Sequence, residues 1–325
     1  MVSTAVREGK SKLLTPGPGP DELTVQFKDE ATAFNGQKHA VIAGKGALNA
    51  RISQLFFELL EREGIPTCFK AVANAPATLV FQQLHMIPLE IVVRNVAYGS
   101  ICKRYGLEEG TALARPLIEF FVKNDALNDP QISEDVIEGL GYLPDGVSLT
   151  AIKTLARAAN EVFIDFLAPR GIVCADFKLE MGVDAHGTVR IGDELSPDNF
   201  RFRDAQTGQV LDKDVFRRDL ADLVTTYQAL LARLETPAEL AATDRHYTGS
   251  VYVRSRKNVL SPESKAIQNA LQTLGFAGVT EIHAGRQFQL KLRAPRQQQA
   301  QAVLTRIAQE VLSNPVIEDV ETAIQ

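Results

Sequence analysis

The chain opens on short runs in which apolar and polar positions alternate. Residues 5–28 read as a hairpin with arms at 6–14 and 23–27, because Pro16-Gly17-Pro18-Gly19-Pro20 can continue neither arm. The period then changes. Leu48, Ile52, Leu55, Phe56, Leu59 and Leu60 recur at helical spacing over 45–63, and Gly64-Ile65-Pro66 ends that helix. β-rich runs follow at 68–72, 78–82 and 89–96. The last is almost continuously apolar and is interrupted by Arg94. A helix over 148–168, strands over 171–183 and 188–193, and a helix near 214–234 complete this part.

Periodicity weakens over 235–248, which divides the chain into a domain at 1–236, a linker at 237–248 and a domain at 249–325. The tail reads strand (251–256), helix (262–274), strand (278–284), strand (286–292), helix (296–312) and strand (316–322). That βαββαβ order is ferredoxin-like. The fold class expected for the whole chain is α+β.

Composition narrows the function classes. The 325 residues are 45% hydrophobic and 23% charged, which excludes a disordered chain or a collagen. No apolar run reaches the roughly 18 residues of a membrane span, and the polar, basic start carries no secretory signal. Cys68, Cys102 and Cys174 lie far apart without metal-ligand spacing and read as reduced thiols of a cytoplasmic protein. The net charge of −5 is uneven. Residues 1–236 carry 25 Lys+Arg against 32 Asp+Glu, a net of −7, and residues 249–325 carry 9 against 6, a net of +3. An acidic body argues against nucleic acid as a partner. The histidines lack HExxH spacing and no serine sits in a GxSxG elbow, so zinc and serine-hydrolase chemistry are not expected.

Four clusters could carry chemistry. Gly9-Lys10-Ser11-Lys12 places two lysines by a glycine, where backbone and ammonium groups can meet phosphate; the alternative is an edge strand kept soluble by lysines. Arg94 in a buried strand needs an anion. With Gly99, Ser100, Lys103 and Arg104 after it, that anion is either a substrate phosphate or a structural carboxylate. Asp176, Lys178 and Glu180 share one strand face, and a tight hairpin at 184–187 should bring Glu180 near Asp193. Two carboxylates there suit Mg²⁺ carrying nucleotide phosphates, or else form cross-strand charge pairs on a solvated hairpin. Lys123, Asn124, Asp125 and Asp129 close a further strand.

At these residues the chain becomes familiar. REGKSK (7–12), FKDEATAFNG (27–36), PLEIVVRNVAYGS (88–100), FVKNDALNDP (121–130), DFKLEMG (176–182), GDELSPDNFR (192–201) and DKDVFR (212–217) resemble, in order, the SAICAR synthetase family of purine biosynthesis. The resemblance implies a two-lobe, kinase- or ATP-grasp-like domain. Its reaction would be an ATP-dependent carbon–nitrogen ligation joining L-aspartate to the carboxylate of carboxyaminoimidazole ribotide, through an acyl phosphate, with ADP and phosphate released. It implies ATP and Mg²⁺ as cofactors. Lys10, Lys12 and Lys123 would meet the nucleotide, with Met86 at the adenine, and Glu180 and Asp193 would hold the metal. Arg94, Ser100 and Arg201 would grip a phosphate or carboxylate, and Asp176, Lys178 and Asp198 would stand at the reacting groups. Asn35 and Ala43 depart from the family pattern. A small-molecule kinase using the same cleft is the alternative.

Residues 251–276, the Gly285-Arg286 turn and LSNPVIEDV (312–320) resemble the small accessory subunit of phosphoribosylformylglycinamidine synthase. This implies a tail that bridges the synthetase and glutaminase subunits of that complex. A sheet face or edge left open on so small a unit also predicts that the tail self-associates, giving a homo-oligomer. The alternatives for the tail are a regulatory small-molecule domain and an RNA-recognition domain. The second is disfavoured because 285–292 offers a single aromatic, Phe288.

Overall fold

The computed structural model describes residues 6–33, 37–238, 245–256, 259, 261–276 and 278–324. Its chain divides into two units, Met1–Ala241 and Ala242–Gln325. In the first, β1 (Arg7–Glu8), β2 (Lys12–Pro16) and β3 (Glu22–Phe27) run antiparallel. The first hairpin arm is thus not one strand. It folds at Gly9–Ser11, where Gly9 N–H donates to the Lys12 carbonyl at 2.8 Å, so Lys10 sits in a turn while Lys12 lies on β2. After the pair β4 (Glu30–Ala33) and β5 (Lys38–Val41) comes α1 (Lys45–Arg62). Then β6 (Phe69–Val72) and β7 (Thr78–Gln82) complete a five-stranded sheet in the order β1-β2-β3-β7-β6. Asn35 lies outside the described residues.

A second sheet follows. β8 (His85–Val96) leads through α2 (Ser100–Tyr105) to β9 (Ala112–Val122) and the short β10 (Gln131–Ile132). α3 (Glu134–Gly139) and α4 (Leu149–Leu167) precede β11 (Ile172–Val183), β12 (Val189–Gly192) and β13 (Phe200–Asp204). The order is β10-β9-β8-β11-β12, with β13 also on β11. The helix expected near 214–234 is two helices, α5 (Asp214–Arg217) and α6 (Leu223–Glu235). Asp219 at φ 52 breaks the run, and the Asp222 side chain caps α6 by accepting from Thr225 N–H.

α1 joins the two sheets because adjacent phenylalanines point opposite ways. Phe57 packs on Phe69 and Phe81 of the first sheet, with ring centroids 5.8 and 5.2 Å away. Phe56 packs 5.2 Å from both Phe163 of α4 and Phe200 of β13. Ser148 caps α4, whose Ile152, Ala156, Ala159 and Phe163 are buried in the same core.

The second unit holds β14 (Arg245–Ser255), α7 (Pro262–Thr273), β15 (Gly285–Ala294), α8 (Gln297–Ile307) and β16 (Glu318–Ile324). β14 begins inside the stretch read as a linker, of which residues 239–244 lie outside the described set. The sheet has three strands in the order β15-β14-β16, so the four-stranded ferredoxin-like arrangement is not what the described residues form. The strand expected at 278–284 is absent because α7 takes its polar groups. Ser264 Oγ accepts from Ala284 N–H at 2.9 Å, and Gln268 Nε2 donates to the Thr280 carbonyl at 3.1 Å. Val251 and Val253 pack with Leu304 and Ala308, whereas α7 has no buried residue, although Ala266, Ile267, Ala270, Leu271 and Leu274 fall at core spacing along and just after it.

Candidate active site

β11 carries the centre of the site, and its pleat decides what faces where. Phe177, Leu179 and Met181 enter the core, while Asp176, Lys178 and Glu180 line a cleft of about 620 Å³. An adjoining slot of about 210 Å³ is lined by Leu14, Leu23, Val25, Phe81, Leu84 and Met86 among others. Lys12, Lys123, Glu180 and Asp193 border both spaces, so a largely apolar slot opens onto a charged cleft.

At that border, lysines sit on carboxylates. Lys12 Nζ contacts Asp193 and lies 3.0 Å from Glu194 Oε1. Burial alone would lower the Lys12 pKa, but Asp193 and Glu194 outweigh it and hold it above the ordinary value. Burial likewise favours the neutral form of Asp193, yet Lys12, Lys178 and Lys123 together hold its carboxyl well below the usual range. Glu180 pairs with Gly192 across β11 and β12, which brings it to Asp193 as the hairpin reading expected. It contacts Lys123 and lies 3.1 Å from Lys178 Nζ. Glu90 stands directly across from Glu180 on β8, a like-charge pair that Lys178 relieves with Nζ 2.6 Å from Glu90 Oε1. Lys10 reaches over the cleft mouth to Asp125 at 2.9 Å, both exposed.

The other end is arginine-rich. Buried Arg94 donates to Glu119 at 2.5 Å, to Asp176 at 3.2 Å and to Ser100 Oγ at 3.1 Å. Arg201 Nη1 reaches both Asp176 oxygens, at 2.9 and 3.0 Å. Burial raises the Asp176 pKa even against these two guanidiniums. Gly99 has φ 69, a left-handed conformation that favours glycine, and a Cβ there would press on Arg201 Nη2 at 2.8 Å. The site residues read from the sequence therefore converge, with Ser100 behind Arg94 rather than on the cleft wall. Asp198 is held by Lys45, Lys213 and Tyr227.

Sequence reading missed Glu90, Glu119, Glu194, Lys45, Lys213 and Tyr227. Glu90 was findable, since it shares a strand face with Arg94 at period two.

Comparison with known proteins decides the family. Residues 5–234 match the family described as SAICAR synthetase. The chain belongs to that family. It is 45% identical over 227 residues to phosphoribosylaminoimidazole-succinocarboxamide synthase of Brevibacillus brevis, covering 70% of this chain and 94% of that protein. It is 46% identical over 229 residues to the enzyme of the same name from Pyrococcus horikoshii, again 70% and 94% of the two chains. A solved structure of SAICAR synthetase (Type-2) in complex with ADP superposes with a TM-score of 0.68 at 45% identity, covering 72% of this chain and 98% of that one. The first unit is thus a SAICAR synthetase, a ligase of purine biosynthesis. Residues 248–325 match a second family, described as phosphoribosylformylglycinamidine (FGAM) synthase, so two purine-pathway modules lie in tandem. Among the described residues no helix is long and apolar enough to cross a membrane.

Proposed function

We propose that this SAICAR synthetase joins L-aspartate to the carboxylate of carboxyaminoimidazole ribotide in two steps. A carboxylate oxygen of the ribotide first takes the γ-phosphoryl group of ATP, releasing ADP. The aspartate amine then attacks the acyl carbon; the C–N bond forms, the C–O bond to phosphate breaks, and the amine loses a proton as phosphate leaves. Positioning and charge neutralisation suffice, with no protein nucleophile. The observation that carries this reading is the order of surfaces in one cleft, from apolar slot to lysine–carboxylate border to arginine end. The slot by Met86 suits adenine, and the ADP bound by a solved relative supports that use. Lys10, Lys12 and Lys123 would meet phosphates; Arg94, Ser100 and Arg201 an anionic group of the ribotide; Lys178 and Asp176 the reacting carboxylate. The two sheets flanking the cleft would act as the two lobes of a kinase-like domain.

Glu180 and Asp193 fit Mg²⁺ as a pair of hard oxygen donors. Mg²⁺ is commonly held by one or two carboxylates, with substrate phosphates and water completing its shell. The ion would supply charge neutralisation at those phosphates; Lys12 and Lys123 would turn from the carboxylates to the phosphates.

Domain boundaries at 1–236, 237–248 and 249–325 assign the ligase to the first part and an accessory role to the last, bridging the synthetase and glutaminase subunits of formylglycinamidine synthase. The match of residues 248–325 supports this, as do the exposed apolar residues Ile267, Leu274 and Phe276 in and after α7, which also suit a homo-oligomer. Three unpaired thiols fit a cytoplasmic location. ADP release with the carboxylated ribotide, measured with and without aspartate, tests the ligase. Release independent of aspartate would favour a kinase instead.

A further inference from the structure

Asp198 is surrounded by one positive charge too many. Lys45 Nζ lies 2.8 Å and Lys213 Nζ 3.1 Å from the same oxygen, Oδ2, while Tyr227 OH donates to Oδ1 at 2.8 Å. No other carboxylate pairs with either lysine among the described residues. The neighbouring Asp212 and Asp214 are taken by Arg203, and Asp214 also by Arg201 and Arg217. Burial pushes the Asp198 carboxyl up, but the two lysines and Tyr227 outweigh that and keep it ionised. Burial and Asp198 both raise the Tyr227 hydroxyl, which stays a neutral donor. The cluster is thus one anion between two cations.

The two cations differ in access. The Lys45 side chain is 0% exposed and that of Asp198 5%, whereas Lys213 is 11% exposed and lines the cleft with Arg217. Lys45 is driven inward by the Gly-Lys-Gly turn that starts α1. Gly44 has φ 86, and a Cβ on Gly46 would lie 2.4 Å from the Phe27 carbonyl oxygen, so the helix start must pass against β3. Burying an ammonium is costly. Lys213 alone could neutralise Asp198, so a second, fully buried lysine is not needed for charge balance. It becomes useful if Lys213 has another anion to bind.

We propose that Lys45 is a positioning residue that neutralises Asp198 permanently, leaving Lys213 free to take a carboxylate of an incoming substrate. The inference rests on the ligase reading above, in which both aspartate and the ribotide bring carboxylates to this cleft. The loop carrying Asp198 lies against the reacting strand, with Lys178 N–H donating to the Asn199 carbonyl at 2.8 Å. A carboxylate on Lys213 therefore sits on the same wall as Lys178.

The test compares Lys45→Met, Lys213→Gln, these two combined, and the double variant Lys45→Met with Asp198→Asn. Without Lys45, Asp198 should claim Lys213. The KM for one carboxylate substrate should rise about tenfold or more, the scale of one charge-assisted hydrogen bond, with the KM for ATP unchanged. Whether aspartate or the ribotide responds identifies the source of the carboxylate. Lys213→Gln should raise the same KM, and adding Lys45→Met should not raise it further. The double variant removes the anion together with its buried partner, so that KM should recover, which a merely structural role for Lys45 would not produce. Unchanged KM for both carboxylate substrates in Lys213→Gln overturns the proposal, even if Lys45→Met fails to fold. So does failure of Asp198→Asn to restore that KM in a folded Lys45→Met; turnover is not the readout, because the family resemblance places Asp198 at the reacting groups. The parent chain is assayed in parallel: normal parent kinetics with unaltered variants overturns only this role, whereas no aspartate-dependent ADP release from the parent overturns the ligase reading and this inference with it.

Discussion

Arg94 and Asp176 are direct cross-strand partners on β8 and β11, with the guanidinium Nη1 3.2 Å from the carboxylate Oδ2. The opposite neighbour of Asp176 is Arg201 on β13, so one buried carboxylate is flanked by arginines on both sides of its strand. The structural and functional readings of Arg94 are thereby not exclusive. Its charge is balanced within the fold by Asp176 and Glu119, and Arg94 and Asp176 themselves wall the cleft.

Arg94→Lys should therefore lose both stability and substrate binding. Lysine cannot reproduce the fork that reaches Glu119, Asp176 and Ser100 together. Breaking a buried pair costs about 3–5 kcal/mol when one partner goes, and retained charge should soften that. Urea melts should show a lower midpoint, and the KM for the ribotide should rise while that for ATP holds. A variant as stable as the parent would contradict the buried network.

Lys12→Ala, Glu180→Gln and Asp193→Asn should each cut turnover strongly. Each loses one charge-stabilising contact at the slot–cleft border, which is worth about 2.7–4 kcal/mol of barrier, or roughly a hundredfold or more in rate. Steady-state turnover at saturating ATP and Mg²⁺ measures it. Near-normal rates in all three would remove the phosphate role from this border.

Asp212 gives a pH signature. Burial raises its pKa to about 6 from the ordinary 3.8, with Arg203 opposing and Asp214 adding to the shift. The folded state thus holds this proton more tightly than the unfolded state. The stability it contributes is fully present below pH 3.8 and is lost as pH rises through about 6. Asp212→Asn has no such proton, so the stability difference between variant and parent should move toward the variant between pH 4 and pH 7. Paired urea melts across that range check it. A pH-independent difference would mean that Asp212 is ionised throughout.

Deleting residues 239–325 should leave aspartate-dependent ADP release largely intact. Relatives that match over 227 residues, 94% of their own length, lack a comparable tail, and every motif of the ligase lies before residue 220. The same deletion should abolish co-purification with formylglycinamidine synthase subunits. Loss of ligation in a folded truncate would show that the two modules are coupled.

What was legible in the sequence was legible because it is local. Period two on β11 exposes Asp176, Lys178 and Glu180 together, and the hairpin at 184–187 brings Asp193 to Glu180 across a two-strand register. The burial of Phe56 and Leu60 in α1 follows from helical period. Period fails in the tail. Ala266, Ile267 and Ala270 show core spacing on α7, yet that helix buries none of them. Spacing says which face is apolar, not what covers it.

The sequence by itself determined the family, through motifs whose order survives every turn between them, and the strand faces, through a pleat that admits one alternation. Only the tertiary structure decided the ring around Asp198. Lys45 stands 153 residues away along the chain and Tyr227 29 residues away, and no local rule joins a helix start to a loop and a distant helix. They meet because Phe56 of α1 packs against Phe200, two residues beyond Asp198, and that aromatic contact carries the buried lysine to its carboxylate.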